Sequence, residues 1–259
     1  MDLELKGKTV LVTGASKGIG YAVAEGFAAE GCHLHLVART EADLEAAKAR
    51  LHAAHGTEVA IHPLDLSRGE AVRSLAETCG DVDILVNNAG AIPAGDLQAI
   101  DEARWREAWD LKVLGYINMT REYYRRMEER GRGTIVNVIG LGGERLDPGY
   151  VAGSTGNASL MAFTRAVGST SIDRGVRILA VNPGAVDTDR IATIYRTKAE
   201  TELGDASRWR EFFEGLPLKR PAKPEEVADV VVFLASARAA YLSGIVVPID
   251  GGLGARSSI

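Results

Sequence analysis

Residues 9–20 constrain the fold more than any other part of the chain. Their sequence, TVLVTGASKGIG, passes from a short β-branched and apolar run into a glycine-rich turn and then into a helical segment. The pattern predicts a strand, a loop and a helix. Gly14 permits the tight turn, Gly18 lets a pyrophosphate approach the backbone, and Gly20 lets the helix pack closely with its free N–H groups facing the anion. We therefore expect a bound dinucleotide, although simple turn chemistry would also explain the glycines.

Short apolar runs alternate with segments of helical periodicity along the rest of the chain. This regular alternation indicates one α/β domain over residues 1–259, a doubly wound parallel sheet with helices on both faces. The further predicted strands are 32–38, 59–63, 84–87, 134–138, 177–182 and 245–249, and the predicted helices are 41–55, 68–79, 101–130, 158–174 (with a possible start near 148) and 224–235.

Composition limits the classes of partner. A hydrophobic share of 46% and a charged share of 25% are ordinary for a globular protein, and no apolar run approaches a membrane span. The charged start predicts no signal peptide and hence the cytoplasm. A net charge of −5 without a basic block argues against nucleic acid and against an anionic membrane surface. We expect a small-molecule substrate.

The cysteines and histidines predict no metal site. Cys32 and Cys79 are too few for a disulfide framework and are interpreted as small buried residues. The pairs His33/His35 and His52/His55 have spacings that could hold a metal, but no acidic or cysteine partner stands at ligand spacing. A structural role is the better interpretation.

Residues 189–220 are too long for a plain connection and carry Tyr195, Trp209, Phe212 and Phe213. They form either surface helices packed on the sheet or a lid over a substrate pocket. Under the second interpretation the aromatic residues favour a small, apolar substrate.

Four stretches resemble motifs of the short-chain dehydrogenase/reductase family, and the resemblance covers nearly the whole chain. Residues 13–20 look like the family's cofactor loop, Asp65 like its adenine-contacting acid, and residues 87–90 (NNAG) like the turn after its fourth strand. Residues 182–184 (NPG) with Thr188 look like the segment under the nicotinamide, where the threonine holds the carboxamide.

The resemblance implies a Rossmann-like domain with a seven-stranded parallel sheet, and a homodimer or homotetramer built partly from the two long helices. It also implies an NAD(P)-dependent oxidoreductase acting on a carbonyl or alcohol. The cofactor-binding residues carried over are Gly14, Ser16, Lys17, Gly18, Ile19, Gly20, Asp65, Leu66, Asn88, Ala89, Gly90, Pro183, Gly184 and Thr188.

Charge at the end of the second strand predicts the cofactor. An acid there would bind the ribose hydroxyls of NAD, but this chain has Ala38 followed by Arg39. Arg39 and Lys17 can instead give a 2′-phosphate charge-assisted hydrogen bonds. NADP is therefore favoured over NAD, although NAD stays possible. The alternative interpretation is that Arg39 is only a solvated residue at the end of a strand.

The family's catalytic residues are a Tyr-x-x-x-Lys pair, an upstream serine and an asparagine on the preceding long helix. Counting back from residues 182–184 places Gly153 at the tyrosine, Asn157 at the lysine, Gly140 at the serine and Lys112 at the asparagine. The chain therefore looks like a divergent member in which all four positions have changed. A carbonyl reduction would need another proton donor.

Lys112 and Tyr150 are the catalytic candidates. Lys112 would be partly desolvated beside the nicotinamide, which would lower its pKa towards the working range. Tyr150, about one turn before Gly153, could fill the space that the glycine leaves, or could only pack. Asn157 could bind the nicotinamide ribose. Other polar residues expected near the site are Ser154, Thr155, Glu144 and Arg145.

Three functions stay open at this point. The chain could be an NADP-dependent oxidoreductase with a relocated proton donor, a lyase or isomerase that uses the same pocket, or a silent nucleotide-binding protein. The retained nicotinamide-facing residues favour the first, and the missing tetrad favours the others.

Overall fold

The apolar runs form seven strands, all parallel, in the order β3-β2-β1-β4-β5-β6-β7. The computed structural model describes residues 1–256. The strands are β1 Thr9–Thr13, β2 His33–Ala38, β3 Val59–Pro63, β4 Ile84–Asn87, β5 Gly133–Val138, β6 Val176–Pro183 and β7 Val246–Ile249. The order reverses between β1 and β4, so the expected Rossmann-like fold is confirmed and its crevice opens there.

Within residues 1–256, eight α-helices connect or flank the strands. They are α1 Gly18–Ala29, α2 Glu41–His55, α3 Gly69–Cys79, α4 Glu102–Trp109, α5 Gly115–Arg130, α6 Val151–Ser171, α7 Asp189–Leu203 and α8 Pro224–Ala235. Among residues 1–256, none of the helices is both long and apolar enough to cross a membrane.

The sheet has a separate apolar core on each face. On one face Leu34 and Leu36 of β2 pack with residues of α1, α2 and α8. On the other face Leu11 and Val37 pack with residues of α3 and α5. Because alternate side chains of a strand point to opposite faces, β2 contributes to both cores. Strands buried on both sides explain why the apolar runs are continuous.

Most predicted elements lie within a residue or two of the observed ones, and two differ in kind. The predicted helix over 101–130 is interrupted by a π-helical turn, Asp110–Leu114, between α4 and α5. Helix α6 ends at Ser171, and a 3₁₀ turn, Ile172–Arg174, replaces its predicted last residues. Periodicity does not reveal either change, because both alter hydrogen bonding without altering which residues are apolar.

Residues 189–220 contain α7 and a 3₁₀ segment, Ala206–Gly215. Their aromatic rings pack on one another: Tyr195 stacks on Phe212 at 5.9 Å between centroids, and Trp209 meets Phe213 edge-on at 5.3 Å. This packing accounts for the aromatic content of the segment. The aromatic residues therefore do not by themselves indicate an apolar substrate.

Arg177 ties β6 to the end of α8. Its buried guanidinium donates hydrogen bonds to the carbonyls of Leu234, Ala235, Ser236 and Ala239 at 2.7–3.1 Å, and to Thr134 Oγ1 at 3.0 Å. A cation at a helix C-terminus also complements the helix dipole. One side chain thus satisfies carbonyls that the end of α8 leaves without partners.

Replacement of Arg177 by leucine should destabilise the protein strongly. Each buried acceptor left unsatisfied costs about 1–3 kcal/mol, so we expect a loss of at least about 3 kcal/mol. That loss corresponds to a fall in Tm of about 6–12 °C in a thermal melt. Arg73→Leu, at an exposed site on α3, is the matched control and should change stability by no more than about 0.5 kcal/mol. Equal melting shifts in the two variants would contradict this role of Arg177.

Candidate active site

The loop between β1 and α1 has the backbone that the glycine spacing predicts. Gly14 and Gly18 have φ of +65° and +57°, which side chains disfavour. A Cβ added to Gly20 would overlap the carbonyl oxygen of Gly14. The absence of a side chain at Gly20 therefore allows the start of α1 to approach the Gly14 backbone within the same loop, rather than allowing a helix to pack on a strand. The first-turn N–H groups of α1 are left for an anion, and Ser16, Lys17 and Ile19 lie in the same loop and turn.

Hydrogen bonds from the turn after β4 hold this loop. Thr13 Oγ1 accepts from the backbone N–H groups of Asn88 at 2.9 Å and Ala89 at 3.0 Å. The Asn88 amide donates to the carbonyls of Thr13 at 3.1 Å and Gly14 at 3.2 Å. The predicted residues Asn88 and Ala89 thus lie directly beside the glycine loop, where the polar groups of Asn88 fix the loop's shape.

Thr188 lies on the other side of the loop. A Cβ added to Gly18 would be 3.3 Å from the Thr188 methyl group. The Thr188 hydroxyl caps α7 by accepting from the Ile191 N–H at 3.4 Å. Pro183 ends β6, and the Gly184 N–H donates to the Ile249 carbonyl at 3.0 Å. These residues form the wall opposite the turn after β4.

The remaining predicted cofactor residues follow the carboxyl ends of β2 and β3. Arg39 is exposed directly after β2, and Lys17 is exposed on the neighbouring loop. Asp65 is exposed after β3 and accepts from the Ser67 N–H at 3.1 Å, whereas Leu66 is buried. The structure places all of them along one edge of the sheet.

Lys112 projects from the π-helical turn into the site. Its ammonium donates to the Ile139 carbonyl at the end of β5, with 2.6 Å between Nζ and O. Its stem passes over Gly90, where an added Cβ would be 2.7 Å from the lysine Cδ. Burial, followed by the charge of Arg190, lowers the pKa of Lys112 to about 7. The lysine is therefore a proton donor and acceptor near neutral pH.

Tyr150 occupies the space above Gly153. Tyr150 precedes the first turn of α6, and a Cβ added to Gly153 would overlap the tyrosine ring. Any side chain at residue 153 would displace the ring. Burial raises the pKa of Tyr150 above its usual value, and nearby Arg190 partly opposes this shift. The phenol is consequently neutral at physiological pH and available as a hydrogen-bond donor.

Arg190 is a site residue that the sequence analysis missed. It lies in the first turn of α7 and donates to the Ile92 carbonyl at 2.7 Å and to the Gly90 carbonyl at 3.4 Å. Its charge lowers the pKa values of both Lys112 and Tyr150. The only sequence signal for it is its position two residues after Thr188.

Asn157 and Gly140 face each other below Tyr150. Asn157 is buried, and its Oδ1 has no hydrogen-bond partner among the described residues. Gly140 has φ of +130°, and an added Cβ would be 3.2 Å from the Asn157 amide nitrogen. A buried acceptor without a partner is costly, so Asn157 Oδ1 has the capacity to accept a hydrogen bond from a donor that the protein does not provide.

Other polar residues named from the sequence have structural partners. Asn182 donates to Glu144 at 3.1 Å, which places that carboxylate near the end of β6. Ser154 Oγ accepts from the Asp147 N–H at 3.2 Å, and Thr155 donates to the Val151 carbonyl at 2.8 Å. Arg145 is exposed, and no side-chain partner is seen for it in residues 1–256.

Comparison with known proteins agrees with this architecture. A family model described as enoyl-(acyl carrier protein) reductase matches residues 14–254. The chain is 31% identical over 258 residues to the 3-oxoacyl-[acyl-carrier-protein] reductase FabG of Chlamydia muridarum, covering 98% of this chain and 100% of the relative.

Two solved structures superpose closely on this chain. L-sorbose reductase from Gluconobacter frateurii, solved with NADPH and L-sorbose, has a TM-score of 0.89 and 31% identity, with 99% of this chain and 100% of that chain covered. A short-chain dehydrogenase/reductase family protein has a TM-score of 0.84 and 35% identity, with 98% and 100% covered. With the family model and these relatives matching almost end to end, the chain belongs to the short-chain dehydrogenase/reductase family.

Proposed function

We propose that this protein is an NADP-dependent oxidoreductase that transfers a hydride between the nicotinamide and a carbonyl or alcohol, with an atypical proton donor. The observation that carries the proposal is the position of Lys112, whose stem passes over Gly90 and whose ammonium, at the end of β5, has a pKa of about 7. Family membership supports NAD(P)-dependent redox chemistry. The substitutions at Gly140, Gly153 and Asn157 support a changed catalytic site.

The residues present fit a dinucleotide. The loop at Gly14 and Gly18 leaves room for phosphates against free N–H groups of α1. The unpartnered Oδ1 of Asn157 would accept a hydrogen bond from a hydroxyl group of the nicotinamide ribose. Thr188 would hold the carboxamide beside Gly18. The cofactor, when bound, supplies or accepts the hydride.

Arg39 and Lys17 are proposed to select NADP. Both are exposed at the edge where β1 and β2 end, and no carboxylate follows β2 directly. A 2′-phosphate there would receive charge-assisted hydrogen bonds that the hydroxyl of NAD could not match.

Arg39→Asp should weaken NADPH binding at least tenfold, because a hydrogen bond to a charged group contributes about 1.5–3 kcal/mol. NADH binding should be unchanged or improved. Fluorescence titration of both cofactors measures this, with Arg73→Asp on α3 as the control for a general change of charge. Equal affinities for the two cofactors, unaltered by Arg39→Asp, would refute the NADP assignment.

Lys112 is proposed as the proton donor in carbonyl reduction. One of its three N–H groups binds the Ile139 carbonyl, which leaves two for a substrate oxygen. The alkoxide that forms on a reduced substrate would take its proton from the ammonium of Lys112. Neutral Tyr150 would donate a second hydrogen bond to the same oxygen and act as an auxiliary contact.

Lys112→Met should lower kcat for reduction by about 10²–10⁴-fold, which is the usual contribution of general acid catalysis. NADPH affinity should stay nearly intact, and Tyr150→Phe should cost less. The pKa is lowered, so the protonated donor is present below pH about 7 and is lost above it. We therefore expect the reduction rate of the wild type to fall above that pH. The Lys112→Met variant should not show this decrease. Full turnover by Lys112→Met on a verified substrate would place the donor elsewhere.

The substrate is proposed to be small and apolar. Support comes from the apolar surroundings of Tyr150, whose ring packs with Trp105, Trp109 and the buried side chains of Ile92 and Ala152. Residues 189–220 are proposed to cover the site as a lid, anchored at its start by Arg190.

Assays with a panel of aldehydes and ketones separate this function from its alternatives. Oxidation of NADPH by any of them identifies an oxidoreductase. Conversion without a change in cofactor absorbance would identify a lyase or isomerase, and binding without turnover would identify a silent nucleotide-binding protein. Each alternative outcome overturns the proposed redox activity.

A reducing compartment such as the cytoplasm is proposed as the site of action. Cys32 and Cys79 are both free thiols, which persist in reducing surroundings.

A homodimer or homotetramer is proposed from the surface of α4 and the π-helical turn. Leu114, at the end of that turn, is 46% exposed and borders a groove with Trp105 and Trp109. An exposed leucine beside two tryptophans favours association.

Analytical ultracentrifugation at micromolar concentration should show a dimer or tetramer. Leu114→Glu should shift the distribution towards monomer, because the new carboxylate would be buried in the interface. Leu97→Glu, at another exposed leucine, should leave the distribution unchanged. A wild-type protein that sediments only as a monomer would contradict the proposal.

A further inference from the structure

Three potential metal ligands, His35, His62 and Cys79, lie close together at a place separate from the candidate active site. His35 of β2 and His62 of β3 lie on the same face of the sheet, since Val37 is the strand partner of His62. Cys79, the last residue of α3, packs against them. The sequence analysis paired histidines along one strand or one helix and did not predict this cluster, because its members come from three elements.

The ligand atoms converge on a small volume. His35 Nδ1 is 2.9 Å from His62 Nε2, and Cys79 Sγ is 3.4 Å from the same nitrogen. One ligand atom from each residue lies within 4.8 Å of the other two. All three residues are half-buried, which also corrects the expectation that Cys79 is buried like Cys32. Solvent ions can therefore reach the cluster.

Two groups share one nitrogen of His62. A neutral imidazole nitrogen has either one lone pair or one hydrogen, and both His35 Nδ1 and Cys79 Sγ approach Nε2 of His62. Zinc bonds of about 2.0–2.1 Å to nitrogen and about 2.3 Å to sulfur place tetrahedral ligand atoms roughly 3.3–3.6 Å apart. Changes of about half an ångström or less would bring the two His62 distances to these separations, and the pair of His35 and Cys79 already lies within 4.8 Å.

Tyr123 gives a second, independent observation. Its side chain on α5 is fully buried, and its hydroxyl has no well-oriented hydrogen-bond partner among the described residues. Tyr123 belongs to the apolar core against which Cys79 packs. A thiolate on Cys79 would give this orphaned donor its acceptor, as the outer partners of metal ligands do.

We propose that His35, His62 and Cys79 form a binding site for a borderline-soft divalent ion, Zn²⁺, with a fourth position open to water and Tyr123 supporting the thiolate. Binding forms one metal–sulfur and two metal–nitrogen bonds and releases the thiol proton of Cys79 to solvent. No oxidation or reduction takes place. The ion would join β2, β3 and α3 and so stabilise this edge of the sheet.

Metal titration of the purified, chelator-treated full chain tests the site. Isothermal titration should show one Zn²⁺ per chain, and Mg²⁺ should not compete. Co²⁺ should give the intense visible absorption of a tetrahedral ion and a thiolate-to-cobalt charge-transfer band in the near ultraviolet. Zn²⁺ should also raise Tm, by an amount that increases with its concentration.

Variants assign the ligands. His62→Gln and Cys79→Ser should each raise the Kd for Zn²⁺ at least tenfold, and Cys79→Ser should abolish the charge-transfer band. Cys32→Ala and His55→Gln, which alter a thiol and an exposed histidine outside the cluster, should leave both readouts unchanged. No saturable binding by wild type, or binding that persists in His62→Gln and Cys79→Ser, would overturn the proposal. These outcomes are independent of redox turnover.

Discussion

The hydrogen bonds between Thr13 and the turn after β4 are the contacts on which the site depends. They join two strands that are distant in sequence at the place where the strand order reverses, and they fix the glycine loop that begins α1. Two N–H donors on one threonine oxygen leave the loop little freedom. The loop is therefore held in shape before any ligand arrives, and less conformational entropy is lost on binding.

Around Tyr150 and Lys112, large side chains occupy the space beside glycines. Gly153 has no side chain, and the ring of Tyr150 from the preceding turn fills the space. Gly90 in turn leaves room for the stem of Lys112. The π-helical turn aims that lysine at the end of β5, in keeping with the frequent location of such turns at functional sites. Each large side chain thus has a glycine as its counterpart.

Local sequence patterns were sufficient to predict the fold and the glycine loop. The strands, the glycine turn and most helix bounds follow from apolar runs, periodicity and backbone requirements that act over a few residues. Arg190 and the cluster of His35, His62 and Cys79 could not be found in this way, because each depends on contacts between elements far apart in sequence. Tyr150 stands between these cases: the glycine three residues later suggested its place, but only coordinates could show that its ring fills the space.

The hydrogen bonds from Arg190 to the carbonyls of Ile92 and Gly90 have a consequence for the pKa of Lys112. The same guanidinium that fastens the start of α7 over the loop also contributes to lowering the pKa of Lys112. Movement of α7 away from the loop would break both hydrogen bonds and carry the positive charge off. The Arg190 charge would then no longer lower the pKa of Lys112, and the lysine would hold its proton more firmly. In the mechanism proposed above, the position of α7 and the acidity of Lys112 would therefore be coupled.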